Sequence, residues 1–325
     1  MFDPVLEFVS VFVEYSFSPG NRLWPVYIVV TALICFVIYK RSQAQRSFLS
    51  WLFPKAVYLH PSNLVDLKLF VLGRLLAFFG VFQSVFFASA IASMIVLTLG
   101  GPEGNEATWH PLLIGLIMVL AMDFTVYWVH RIHHETAQLW PFHSVHHSAE
   151  VMTPVTVYRK HPIYDLISTF MKGVVGGVIQ GMLLSLFVGS VSFVAILGVN
   201  AIYVVFNIVG SNLRHSHIWL SYGPALEHIF ISPAQHQIHH SRAKRHWNKN
   251  YGEVFAIWDW MFGTLYVPRE REILEFGIAT ETEPLIEQPH PSLKDALVVP
   301  FQDSFSSFGS AERDEANPLS EKVDG

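Results

Sequence analysis

The chain has 325 residues and a formal net charge of −5; 51% of its residues are hydrophobic and only 14% are charged, against about 25% charged in soluble domains. Apolar surface therefore exceeds what one water-soluble core needs, and with no concentrated basic stretch or basic-aromatic array, nucleic acid is excluded as a partner. The single cysteine, Cys35, removes disulfides and cysteine-rich metal sites, so any metal must be held by nitrogen or oxygen.

In chain order, the stretch through Glu7 and Glu14 lacks a basic secretory leader, and the first apolar block is expected to remain as an anchor. Four blocks are free of Asp, Glu, Lys and Arg: 23–39, 75–102, 107–122 and 173–213. The first three approach the length of a spanning helix and the last suits two short ones. Trp24, Tyr27 and Tyr39 on the first block, and Trp109 and Trp128 around the third, fit interfacial aromatic belts. Lys40, Arg41, Arg46 and Lys55 follow the first block, whereas the 101–108 loop carries only Glu103 and Glu106. The positive-inside rule then puts residues 40–67 in the cytoplasm and brings the third helix back to that side at His130. Block 173–213 is read as a hairpin turning near Gly189 and Ser190, with Lys172 and Arg214 snorkelling at its feet. Beyond about 268 the chain turns polar and proline-dotted, a surface arm or partly disordered tail to which no chemistry is assigned. The expected fold is an all-α integral-membrane bundle of about four to five transmembrane or hairpin helices, with a cytoplasmic helical cap carrying the histidines. Its parts are an anchor (1–110), a catalytic domain (111–267) and a C-terminal arm (268–325).

The seventeen histidines are not evenly spread. His130, His133 and His134 form one group, His143, His146 and His147 a second, and His236, His239 and His240 a third. Each repeats the spacing i, i+3, i+4, which on a helix aligns side chains on one face. Imidazole suits several transition metals, but so many ligands exceed one tetrahedral zinc and point to two ions. His60, His110, His228, His246 and His290 stand apart and read as structural. Asp123 shares a helical face with Tyr127, His130 and His134, and is expected to accept a ring N–H from a ligating histidine. A zinc hydrolase would want Glu where Arg131 stands, and a carboxylate-bridged di-iron bundle would want paired Glu-x-x-His, of which the chain has only Glu287 to His290.

These residues resemble the fatty acid hydroxylase/sterol desaturase superfamily of membrane di-iron oxidases. The segment Asp123-Phe-Thr-Val-Tyr-Trp-Val-His-Arg-Ile-His-His134 is similar to the family's first box, Leu139-Trp-Pro-Phe-His-Ser-Val-His-His-Ser148 to the second, and Pro233-Ala-Gln-His-Gln-Ile-His-His-Ser241 to the third. Further similarity lies in Asn212-Leu-Arg-His-Ser-His217, Arg159-Lys-His-Pro162, Asn248-Lys-Asn-Tyr-Gly252 and Trp258-Asp-Trp-Met-Phe-Gly-Thr264. The resemblance covers roughly 110–265 and implies His130, His134, His143, His146, His147, His215, His236, His239 and His240 as metal ligands. His133 becomes the variable position of its box, and the middle histidine is His215 rather than His217. It further implies supporting or substrate-facing roles for Asp123, Tyr127, Arg131, Arg159, His161, Asn250 and Asp259.

The implied activity is oxygen-dependent hydroxylation or desaturation of a lipid by two non-haem iron ions, with zinc also able to occupy the site on purification. Iron follows from the redox chemistry, which zinc lacks. The implied partners are a lipid substrate, the bilayer and a separate electron donor of cytochrome or ferredoxin type, since no nucleotide-binding G-x-G-x-x-G is present. A zinc-dependent membrane lipid hydrolase and a metal transporter are the competing readings, the latter requiring ligands at mid-membrane.

Overall fold

A computed structural model describes residues 4–18, 20–81, 85–100, 111–186, 204–280 and 287–315. Among these the chain is helical, with only two isolated β-bridges, Phe230 with Phe255 and Ser241 with Phe276. The Gly189–Ser190 turn, Trp109 and the 101–108 loop lie outside the described residues.

Helix α1 (Pro4–Ser16) precedes α2 (Pro25–Ser42), which begins at a proline and ends with Lys40 and Arg41 in its last turn, cations that complement the negative end of the helix. Helix α3 (Ser62–Phe78) buries Asp66 beside Val65 and Leu69. The expected block 75–102 is not one helix: α3 stops at Phe78, Gly80 takes φ +79, and a shorter apolar helix, α4 (Val85–Leu99), follows. A glycine in that left-handed conformation ends a helix at little steric cost.

Helix α5 (Pro111–Glu135) carries the first box at its C-terminal end, and α6 (Trp140–His147) carries the second. Helix α7 (Pro162–Leu186) returns along α4 and α5. Gly177 and Gly181 make the α4 approach possible. A Cβ on Gly177 would lie 2.7 Å from the Ala88 carbonyl oxygen, and one on Gly181 2.8 Å from Ile95 Cβ. Small residues spaced by four are the usual device for close helix contact within a bilayer.

Three helices, Pro25–Ser42, Leu113–Glu135 and Pro162–Ser185, are long and apolar enough to cross a membrane, with Phe87–Leu99 apolar but shorter. Only 11% of the first window is buried within the protein, and Leu33, Leu97 and Leu113 stand exposed. Apolar side chains displayed this way suit hydrocarbon rather than water.

The third box sits on α8 (Pro233–His239), whose start is fixed by a capping box between Ser232 and Gln235 and by Pro233 in the first turn. A short helix, α9 (Ile257–Met261), follows, and Val254 and Phe255 just before it pack on Val119 of α5. Of the C-terminal region, residues 293–315 form a helix. Helix α10 (Leu293–Glu315) lies along α6, with Ala296 in a core with Val65, Leu69 and Val145. Ser304 Oγ donates to the Gln138 carbonyl at 2.8 Å. The polar composition of 268–325 hid an amphipathic helix whose apolar face covers the second box.

Candidate metal centre

The helical boxes converge on one buried volume. His130 and His134 come from α5, His143 and His147 from α6, and His239 from α8; these five place one ring nitrogen each within 4.8 Å of one another. His146, His215, His236 and His240 form a second group of four by the same measure. The partition follows from helical geometry. Each i, i+4 pair (His130/His134, His143/His147, His236/His240) shares a face and serves one group, while the residue at i+3 turns elsewhere. The groups abut, His147 and His240 being stacked with centroids 4.4 Å apart.

The ring nitrogens suit a cation. The Nδ1 atoms of His130, His146 and His239 face the carbonyl oxygens of Tyr251 (2.8 Å), Arg159 (3.2 Å) and Lys249 (2.8 Å). A carbonyl can only accept, so each Nδ1 carries the proton and each Nε2 turns a lone pair inward. There His130 Nε2 meets His143 Nε2 at 3.0 Å, and His215 Nε2 meets those of His146 and His236 at 3.2 and 3.1 Å. His134 Nε2, His239 Nε2 and both nitrogens of His240 are buried without a hydrogen-bond partner. Inward lone pairs and orphaned buried nitrogens are costly, and ligation by a metal ion relieves both. No carboxylate joins either group among the described residues. Burial is also the first cause holding His143, His146, His147, His215, His236 and His240 well below the ordinary imidazole range, and it lowers His239 to about 4. They are therefore neutral, the state in which imidazole ligates.

The backbone carbonyls are aimed by a twisted segment. Asn248 and Asn250 adopt φ +58 and +57, a conformation asparagine tolerates better than most residues. The Asn250 side chain fixes the twist by donating to the Gln235 carbonyl and accepting from Tyr266 N. Asp259 accepts from Tyr251 N, Gly252 N and Thr264 Oγ1, and burial pushes it up to about 6 against those bonds. Tyr127 OH is 3.0 Å from Thr264 Oγ1. Arg131 pairs with Glu135 and reaches Tyr127 OH at 3.2 Å.

One position, Asp123, differs from expectation, and His133, His161 and His217 lie outside both groups. Asp123 touches no histidine: its carboxylate accepts from Val254 N, Phe255 N and Trp258 Nε1, tying α5 to the start of α9. His133 donates to its own helix at the Val129 carbonyl, lies against Tyr164 and belongs to neither group. His161 donates to Leu297 O under the C-terminal arm, packed between Phe142 and Phe301. His217 donates to Trp51 O.

Arg159 is fully buried in an ion pair with Asp66 at 2.9 Å, and its other donors reach Val145 O, Ser148 Oγ and His290 O. The sequence reading missed Asp66; its available signal was that it is the one carboxylate in α3, between Val65 and Leu67. A cavity of about 350 Å³ opens on His134, His147, His239 and His240 between Trp140 and Trp247.

Residues 115–264 match the family model described as fatty acid hydroxylase. The chain is 30% identical over 169 residues to an alkylglycerol monooxygenase of Xenopus tropicalis, covering 52% of this chain and 34% of that protein. It is 30% identical over 166 residues to the ornithine lipid hydroxylase OlsE of Rhizobium tropici, covering 51% and 45%. A very-long-chain aldehyde decarbonylase of Arabidopsis thaliana is 24% identical over 174 residues, covering 50% and 26%. The matches thus span less than half of each relative's length. No solved structure matches the chain.

Proposed function

Because this chain belongs to the fatty acid hydroxylase/sterol desaturase superfamily, we propose that it is a membrane-bound, non-haem di-iron oxygenase that inserts oxygen into a lipid C–H bond. The observation that carries the reading is the gathering of nine ring nitrogens into groups of five and four. The two groups would hold one iron each, and iron so held supplies the redox activation of dioxygen that a C–H bond requires and zinc cannot give. The protein's part is to keep nine imidazoles neutral and oriented, to exclude water by burying them, and to offer a lipid an approach at the membrane end of the helices. Hydroxylation is favoured over desaturation by the relatives named as a monooxygenase and a hydroxylase. Electrons come from a separate donor protein, and the boxes face the cytoplasm by the distribution of Lys and Arg. A zinc hydrolase is disfavoured because neither histidine group includes a carboxylate to serve as general base among the described residues.

The test is metal analysis with Mössbauer spectroscopy on the purified chain and two variants. About two irons per chain are expected. His239→Ala, in the five-membered group, and His240→Ala, in the four-membered one, should each lose mainly one ion, with the exchange-coupled signal abolished in both. Stoichiometric zinc that anaerobic iron reconstitution does not displace would sink the oxygenase reading.

A further inference from the structure

A second cavity, of about 400 Å³, lies between α3, α7 and the loop before α2, and its lining includes Arg22, Arg74, Lys160 and Lys172 against only two carboxylates, Asp165 and Glu253. Both carboxylates are already engaged. Glu253 pairs with Arg22 at 3.4 Å and Asp165 with Lys160 at 3.6 Å. Arg74 donates to Asn21 Oδ1 and lies over the Tyr158 ring at 5.0 Å. Lys172 makes no ion pair and no hydrogen bond among the described residues. It sits ten residues into α7, roughly 15 Å along the helix from Pro162 at 1.5 Å per residue. That helix is one of the three that can cross a membrane. An ammonium at that level is expensive unless it faces a polar cavity or an opposite charge, and here it faces the cavity.

The geometry points to this cavity as the seat of an oxyanion-bearing lipid head group, a phosphate or carboxylate held by Lys172, Lys160 and the two arginines while its chains lie against the apolar faces of α3 and α7. The excess of cations sets the sign of the ligand. Arginine forks and lysine ammoniums are the usual donors to such oxygens. The depth of Lys172 sets its class, because a water-borne anion gains nothing from a binding site let into the hydrocarbon edge. The cavity also adjoins the metal side: Lys160 Nζ lies 5.7 Å from the Tyr164 ring, which stacks on His143 at 4.6 Å. This inference rests on the lipid-oxygenase reading for the ligand's role as substrate; the binding itself is independent of that reading.

The experiment uses the full chain in detergent, titrated with dioctanoyl phosphatidic acid, with dioctanoylglycerol as its neutral twin, and with inorganic phosphate. Phosphatidic acid should bind about tenfold or more tightly than the diglyceride, the worth of one charge-assisted hydrogen bond. Lys172→Gln should erase most of that preference and leave diglyceride binding unchanged. Lys160→Gln, just before the start of α7, carries the same expectation should the first variant misfold, as judged by elution and metal content. Equal affinity for the two lipids, or a preference that survives both variants, overturns the proposal. Inorganic phosphate binding as tightly as phosphatidic acid overturns the lipid assignment and leaves a free-anion site. Metal content of the same preparations separates this failure from failure of the oxygenase reading, since a chain holding its iron but showing no head-group preference refutes only the cavity.

Discussion

Arg159 shows how one buried side chain can brace a candidate metal centre without belonging to it. Its guanidinium binds Asp66 on α3 and the carbonyls of Val145 and His290, while its own carbonyl accepts the His146 ring proton. Replacing it by Met strands the Asp66 carboxylate, and breaking a buried pair of this kind costs about 3–5 kcal/mol. Chemical denaturation in detergent should read that loss in Arg159→Met, and the double variant with Asp66→Asn should recover part of it.

The histidines also predict a pH response. Burial depresses seven of them outside α5, His239 to about 4, below the unfolded value near 6.5. Between those values the unfolded chain binds more protons, so stability falls as pH drops from about 6.5 toward 4. Asp259, raised to about 6, acts in the opposite sense over part of that window, one carboxyl against seven imidazoles. Thermal melting of the metal-free protein should therefore worsen steadily from pH 7 to 5; a flat profile would mean that the imidazoles are hydrated rather than buried. At this scale the sequence was informative about residue types and silent about partners. The i, i+3, i+4 strings named the histidines, yet nothing in them revealed that the second ring nitrogens would be met by backbone carbonyls. That depends on the left-handed Asn248 and Asn250, visible in sequence only as an Asn-Lys-Asn run.

Helices α4 and α7 meet through Gly177 and Gly181, which face Ala88, Ile91, Ala92 and Ile95. The four-residue spacing was legible, and the apolar blocks that contain it were read only for length. Gly177→Leu should separate the pair, overpacking that typically costs about 1–3 kcal/mol, with melting in detergent as the readout. The block 75–102 misled because hydropathy does not see a single left-handed glycine: Gly80 divides what composition makes continuous. Asp123 misled for a related reason. Helical periodicity placed it correctly on the face of His130, but the groups it binds belong to a segment 131 residues later, and separation of that size leaves no trace in local spacing.

For the whole molecule, the positive-inside distribution predicts that the histidine end faces the cytoplasm. Arg269 is exposed near that end, and the native Cys35 is buried. Arg269→Cys should therefore react with a membrane-impermeant maleimide only after cells are opened, whereas labelling of intact cells would reverse the orientation. The architecture also bears on how the protein is made. The second box is covered by α10, so Arg159, His161 and Gln138 find their last partners only when residues near 290–304 have been synthesised. Chains emerge from the ribosome N-terminus first, and most of α1 to α9 is then already laid down. The packing behind the second box is consequently completed late in biogenesis, and a nascent chain halted before α10 would leave Phe142 and His161 without the Phe301 ring that lies against both.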